Sequence, residues 1–262
     1  MARRGVGAAQ REGLTMHLTV IGCGDAFGSG GRFNTCFHVQ AANSTILLDC
    51  GASSIVALKM RGIDLSSIDG VILSHLHGDH FGGLPFLLLD AHFASRREKP
   101  LTIAGPPGTR TRLDAALDVF FPKSSQSKWR FALTVIEVEV GQPADLLGFT
   151  VTTAEVLHQS GAPSTAVRLD DGRTVLAYSG DTEWTDALVS IADGAALFIC
   201  ECYGATGRIN GHLTWEMLEP HLATLQAKRI MLTHMNPSML ARVDEARARG
   251  VLIAEDGLKL EV

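Results

Sequence analysis

The segment Ser74-His75-Leu76-His77-Gly78-Asp79-His80 gathers three imidazoles and a carboxylate within a few positions. Imidazole and carboxylate suit zinc, with iron or manganese as further options, so a metal centre explains these side chains better than a solvated histidine-rich turn. Val71-Ile72-Leu73 ahead of the cluster is an apolar run of strand type, and Phe81 to Phe93 behind it carries apolar residues at helical spacing. The cluster is therefore expected on a strand-to-helix turn, with Gly78 bending the backbone so that neighbouring side chains converge.

Further donors stand at the ends of other strand-like runs. His158 follows Phe149 to Val156, Asp181 follows Val175 to Tyr178, and His234 follows Arg229 to Leu232. With His75, His77, Asp79 and His80 they suffice for two metals, provided that one carboxylate such as Asp181 is shared. Two cations roughly 3.5–4 Å apart serve hydrolytic displacement. Asp49 closes the strand-like Ser44 to Leu48, where it can orient a metal-bound imidazole or cap the helix expected from Ser53 to Met60.

The rest of the chain must position these groups. At 262 residues and 46% hydrophobic content it can build a substantial core. Further strands are expected at His17 to Gly22, Thr35 to Gln40, Leu101 to Ala104, Phe131 to Val140, Thr165 to Arg168 and Ala195 to Cys200, and a strand pair at the C-terminus. Further helices are expected from Thr111 to Phe121, from Thr214 to Leu225 and in the charged stretch ending at Arg249. Two runs of strands broken by helices suggest two sheets face to face with helices outside. The glycines at 22, 24 and 28 miss the dinucleotide-binding spacing and precede a strand, so Gly22 to Gly31 reads as a flexible loop near the site.

Five cysteines without a CxxC pair fit buried thiols in a reducing cytoplasm. Residues 1–15 read as a disordered extension before one domain over 16–262, and no run is long and apolar enough for a membrane span. A net charge of −5 argues against bulk nucleic-acid binding. Residues 96–130 depart from it, with eight cations facing three carboxylates, a patch that could attract phosphate or be plain solvated surface.

The pattern His75-x-His77-x-Asp79-His80, followed by His158, Asp181 and His234, resembles the metallo-β-lactamase fold superfamily in its dinuclear zinc hydrolase form. The resemblance runs from Met16 to the C-terminus and implies an α/β fold, the four-layer αββα sandwich. It implies two Zn2+, or Mn2+ or Fe2+, with His75, His77 and His158 on one, Asp79, His80 and His234 on the other, and Asp181 bridging. Asp49 matches the superfamily's orienting aspartate. The segment Gly211-His212-Leu213-Thr214 resembles the ribonuclease Z-like phosphodiesterase branch, where such a histidine stabilises or protonates the leaving group. Catalytic roles are thus expected of His212 and Asp79. Glu201 resembles that branch's glutamate, with Cys200 where histidine often stands.

In tRNA-processing members of that branch a tRNA-gripping arm is inserted between the positions of His158 and Asp181. Here that interval has room for one hairpin, so tRNA is not the expected partner. The expected activity is hydrolysis of a small or nucleotide-type phosphodiester, cyclic nucleotides or cyclic ribose phosphates included, by a hydroxide bridging the metals. Arylsulfatase-like, other ester or lactone hydrolysis, and a non-catalytic metal sensor are the alternatives. The resemblance also allows a homodimer.

Overall fold

Alternation sets the first strands. In β1 (His17–Gly22) Leu18 and Val20 join the core between two sheets, whereas Ile21 faces the helices outside. The computed structural model describes residues 15–262, so the extension expected over 1–15 lies outside the described residues except for Thr15.

The first sheet has the order β14-β1-β2-β3-β4-β5-β6. Its strands are β1, β2 (Cys36–Gln40), β3 (Thr45–Leu48), β4 (Gly70–Ile72), β5 (Leu101–Gly105), β6 (Leu133–Glu137) and β14 (Lys259–Glu261). The second sheet has the order β13-β12-β11-β10-β9-β8-β7. It comprises β7 (Ala144–Leu146), β8 (Phe149–Glu155), β9 (Thr165–Asp170), β10 (Val175–Tyr178), β11 (Leu197–Glu201), β12 (Ile230–Thr233) and β13 (Leu252–Ile253). Strands β3 to β6 run parallel, as do β10 to β13. Parallel pairing demands crossovers, and these supply the helices.

Three buried clusters define the layers. Leu18, Phe37, Ile46 and Ile72 of the first sheet pack on Val151, Val167, Leu176 and Ile199 of the second. Helices α1 (Ser54–Met60), α3 (Leu84–Leu89) and α4 (Thr109–Phe120) cover the first sheet, and α5 (Ala187–Ala192), α6 (Trp215–Leu218), α7 (Pro237–Leu240) and α8 (Val243–Ala248) cover the second. The architecture is the αββα sandwich expected.

Local differences have physical reasons. The helix expected over Phe81 to Phe93 begins earlier, with α2 (Gly78–Phe81), and its last turn is a π-helix over Asp90–Ala94. Asp79 and His80 therefore project from a helical turn. Gly78 has no positive φ, and a Cβ on it would meet nothing within 4 Å, so the bend does not depend on glycine there. After α6 the chain tightens to a 3-10 helix over Glu219–Thr224, because Pro220 cannot donate to the α ladder. The C-terminal strands do not pair with each other: β13 joins β12 and β14 joins β1, one in each sheet. The glycine loop is stapled rather than flexible, since buried Asp25 accepts hydrogen bonds from Phe27 N, Ser29 N and Ser29 Oγ.

Candidate metal centre

The parallel strands of both sheets point their C-terminal ends at one rim, where sites of open α/β sheets gather. From the first sheet come Asp49 after β3 and Ser74-His75 after β4. From the second come Asp181 after β10, Glu201 at the end of β11 and His234 after β12. Asp49 and His234 adopt φ of 59° and 60°. Left-handed backbone costs a non-glycine residue roughly 1–3 kcal/mol, and such strain collects where a side chain must be aimed.

Two groups of donors result. His75, His77 and His158 form one; Asp79, His80, Asp181 and His234 form the other, with donor atoms within 4.8 Å of one another in each. His158 Nε2 is 2.9 Å from His77 Nδ1, and His234 Nε2 is 3.1 Å from Asp79 Oδ2. Asp181 Oδ2 lies between the groups, 3.3 Å from Nε2 of both His80 and His234, 3.8 Å from His75 Nε2 and 3.9 Å from His158 Nε2.

Supporting contacts hold the rings. Asp49 is fully buried; its carboxylate accepts from Ser74 N and Oγ and lies 2.8 Å from His80 Nδ1, which leaves His80 Nε2 facing the donors. Nδ1 of His158 donates to Gly211 O at 2.8 Å, leaving its Nε2 lone pair inward. Gly211 has φ +77°, and a Cβ there would stand 2.9 Å from His158 Nδ1. Glycine alone allows this approach.

The unmet polar atoms test whether a cation fits. Nε2 of His75 and Oδ1 of Asp181 are buried with no hydrogen-bond partner among the described residues. Buried polar atoms rarely stay unpartnered. Burial, and then neighbouring His80, push His75 well below the usual imidazole range, and burial also lowers His77 and His158, so these rings keep neutral lone pairs. Burial opposes charge on His80 and His234, yet Asp181 first and Asp79 with it raise both. The carboxylates thus draw positive charge into a buried site, a demand that divalent cations meet. The residues fit divalent-metal binding.

His212 adjoins this set. Its ring stacks on Tyr203 at 4.7 Å between centroids, and its Nδ1 lies 3.2 Å from Glu201 Oε1. Burial works against the His212 cation, but the Glu201 hydrogen bond and charge, followed by Asp181, raise it to about 9. Burial raises the Glu201 carboxyl against the pull of His212, so the pair retains a proton.

Residues 16–255 match the family described as Anti-Pycsar protein Apyc1. The chain belongs to that family. It is also 28% identical over 261 residues to a ribonuclease Z of Lachnoclostridium phytofermentans, covering 80% of this chain and 84% of the relative. Identity is 28% over 229 residues to the probable metallo-hydrolase YhfI of Bacillus subtilis, with 84% and 87% covered. The crystal structure of YhfI superposes with a TM-score of 0.76 at 23% identity, covering 94% of this chain and 99% of that one. Human tRNase Z, short form, gives 0.75 at 24% identity over 93% of this chain and 98% of its own. The metallo-β-lactamase fold, the ribonuclease Z-like kinship and the metal-dependent hydrolase expected from the sequence stand with these relatives.

In this member of the Apyc1 family several residues beside the donors escape sequence reasoning. Glu183 accepts from Gly211 N at 3.0 Å and from Arg208, and so anchors the loop that touches His158 and carries His212. Tyr203 and Tyr178 flank the imidazoles, Tyr178 Oη lying 3.4 Å from His80 Nδ1. Only closeness to Asp181 in sequence could have marked Glu183. The basic segment 96–130 is no uniform patch: Arg97 is buried and donates to the carbonyls of Leu65, Ser66, Ile68, Lys99 and Pro100. No helix among the described residues is long and apolar enough to cross a membrane.

Proposed function

We propose that this chain is a phosphodiesterase acting on small or nucleotide-type phosphodiesters, with residues 16–262 as one hydrolase unit. His75, His77 and His158 would hold one divalent cation, Asp79, His80 and His234 a second, and Asp181 both. Two such cations, zinc or alternatively manganese or iron(II), would supply Lewis acidity toward water and the phosphoryl oxygens.

The observation that carries the reading is the His212–Glu201 pair beside the donors. A sensor needs the donors, but a polarised acid at their edge serves a departing oxygen. Glu201 fixes Nδ1 and stabilises the imidazolium, which leaves Nε2–H to donate to the leaving alkoxide. Tyr203 stacks on the ring and limits its rotation.

Substrate size follows from the surroundings. Between His158 and Asp181 the chain forms only the β9–β10 hairpin, which favours a small ester over tRNA. A cavity of about 630 Å3 adjoins the centre, lined by Leu157, His158, Gln159, Glu183, Arg208 and Gly211 among others, a volume suited to a nucleotide-sized molecule. All five cysteines are free and buried, in keeping with a cytoplasmic setting.

Turnover of bis(p-nitrophenyl) phosphate and p-nitrophenyl sulfate, with metal content measured on the same preparation, tests the proposal. Diester hydrolysis with about two metals per chain supports it. Sulfate hydrolysis alone would move the protein to ester chemistry of another class, and inertness toward both at full metal content would favour a sensor.

A further inference from the structure

A second cavity, about 390 Å3 in volume, is lined by Thr19, His38, Gln40, Arg61, Ile63, Asp64, Ser67, Gly257 and Lys259. None of these is a donor of the metal centre. The cavity opens on the face of the first sheet turned away from the second sheet, since His38 points opposite to Phe37 and Val39 of the core between the sheets. Thr19 and His38 are paired on adjacent strands, and Gln40 pairs with Thr45 at the start of β3. Ser67 stands just before β4 begins. Gln40 and Ser67 thus lie at the N-terminal ends of β3 and β4, while Thr19 and His38 lie mid-sheet, His38 level with Leu47.

His38 is the anomaly. It is 4% exposed, on the face of its strand opposite the apolar Phe37 and Val39, and its Nε2 is buried with no hydrogen-bond partner. An imidazole held under a layer of helices without a partner costs free energy unless something in the cavity completes it. Burial lowers its pKa, so the ring is neutral and offers one N–H.

The charges around it are unbalanced. Arg61 donates to Ala57 O at 3.0 Å and lies 5.7 Å over the Phe33 ring, yet it meets no carboxylate among the described residues. Lys259, on the edge strand, likewise has no ion pair among the described residues. The lone carboxylate of the lining, Asp64, accepts from Ser66 N at 2.9 Å and caps the 3-10 turn Leu65–Ser67. Two cations, an imidazole and the hydroxyl of Thr19 thus line one cavity, whereas the Ser67 hydroxyl already donates to Asp64 O at 2.7 Å. Donors arriving from several sides, with guanidinium among them, match the oxygens of a tetrahedral oxyanion.

We infer that this cavity is a non-catalytic binding site for a phosphate group, either free phosphate or a phosphate monoester, held by Arg61, Lys259 and His38. The test uses zinc-loaded protein with isotope-labelled histidine rings. The His38 resonance is assigned by its loss in His38→Gln, and inorganic phosphate is titrated at constant ionic strength. A saturable shift of that resonance is expected, weakened on the order of tenfold or more in Arg61→Gln/Lys259→Gln, whose turnover of bis(p-nitrophenyl) phosphate is unchanged. Adenosine monophosphate in a parallel titration separates the sources: tighter binding than phosphate identifies a monoester, equal binding identifies free phosphate. A His38 resonance unmoved by both anions, moved equally in the double variant, or moved as much by chloride would overturn the inference. Phosphate captured only at the metal centre would shift the other histidines and leave His38 still, which also overturns it.

Discussion

The two sheets supply the metal centre in opposite ways. The first contributes a compact segment, His75 to His80, in which strand end and helical turn aim four donors from adjacent residues. The second contributes His158, Asp181 and His234 from three separate strand ends, with Glu201 and His212 beside them. The local half carries most of the donors, but the dispersed half carries the oxygen that lies between both groups and the proposed proton donor. Under the proposed function the first sheet supplies most of the ligands, and the second supplies the shared ligand and the acid.

Asp181→Ala tests that division most severely. Loss of the shared carboxylate should bring metal content well below two per chain and lower diester turnover by several orders of magnitude. Elemental analysis beside kinetics decides it, and retention of two metals would break the bridging assignment. His212→Ala comes next: kcat should fall by roughly 10²- to 10⁴-fold with metal content unchanged. The loss should be larger for an alkyl than for a p-nitrophenyl leaving group, because nitrophenolate needs little protonation. Equal losses for both would argue that His212 acts otherwise than as an acid.

Gly211→Ala sharpens the comparison where the halves meet. Its methyl would stand 2.9 Å from His158 Nδ1 at a backbone φ of +77°, so His158 must move. We expect a loss of roughly 10- to 100-fold in metal affinity or activity, read by competition with a chromogenic chelator. The smallest effect is assigned to Glu183→Gln. The neutral amide keeps an acceptor for Gly211 N but loses the ion pair to Arg208, an exposed pair worth roughly 0–1 kcal/mol. Turnover should fall no more than about fivefold, which that energy allows; a drop as large as that of His212→Ala would make Glu183 more than an anchor for the loop.

The donors were legible because ligand chemistry restricts residue type so tightly. Imidazoles and carboxylates placed after apolar runs stand out at His75 to His80, His158, Asp181 and His234, whatever joins them. The strands were legible for a related reason, since parallel strands buried on both faces, such as β4 and β11, read as short apolar runs. Positions answering to geometry alone were less visible. Gly211 stood out only as a member of the segment Gly211-His212-Leu213-Thr214, not as a neighbour of His158 Nδ1, and Glu183 looks like surface charge until Gly211 N is found on its carboxylate. The partners of β13 and β14 could not be read either, because two short strands near a C-terminus carry no mark of the sheet each will join.

By itself the sequence determined the donor chemistry, the alternation of strands and helices and the short interval after His158, since side-chain type and apolar spacing are properties of the chain alone. Only the tertiary structure decided that Asp181 lies between both donor groups, that Glu201 holds His212, and that His38 Nε2 is buried without a partner. The reason is physical: a distance between residues far apart in the chain is set by how two sheets pack, and packing is a sum over the whole core rather than a property of any segment.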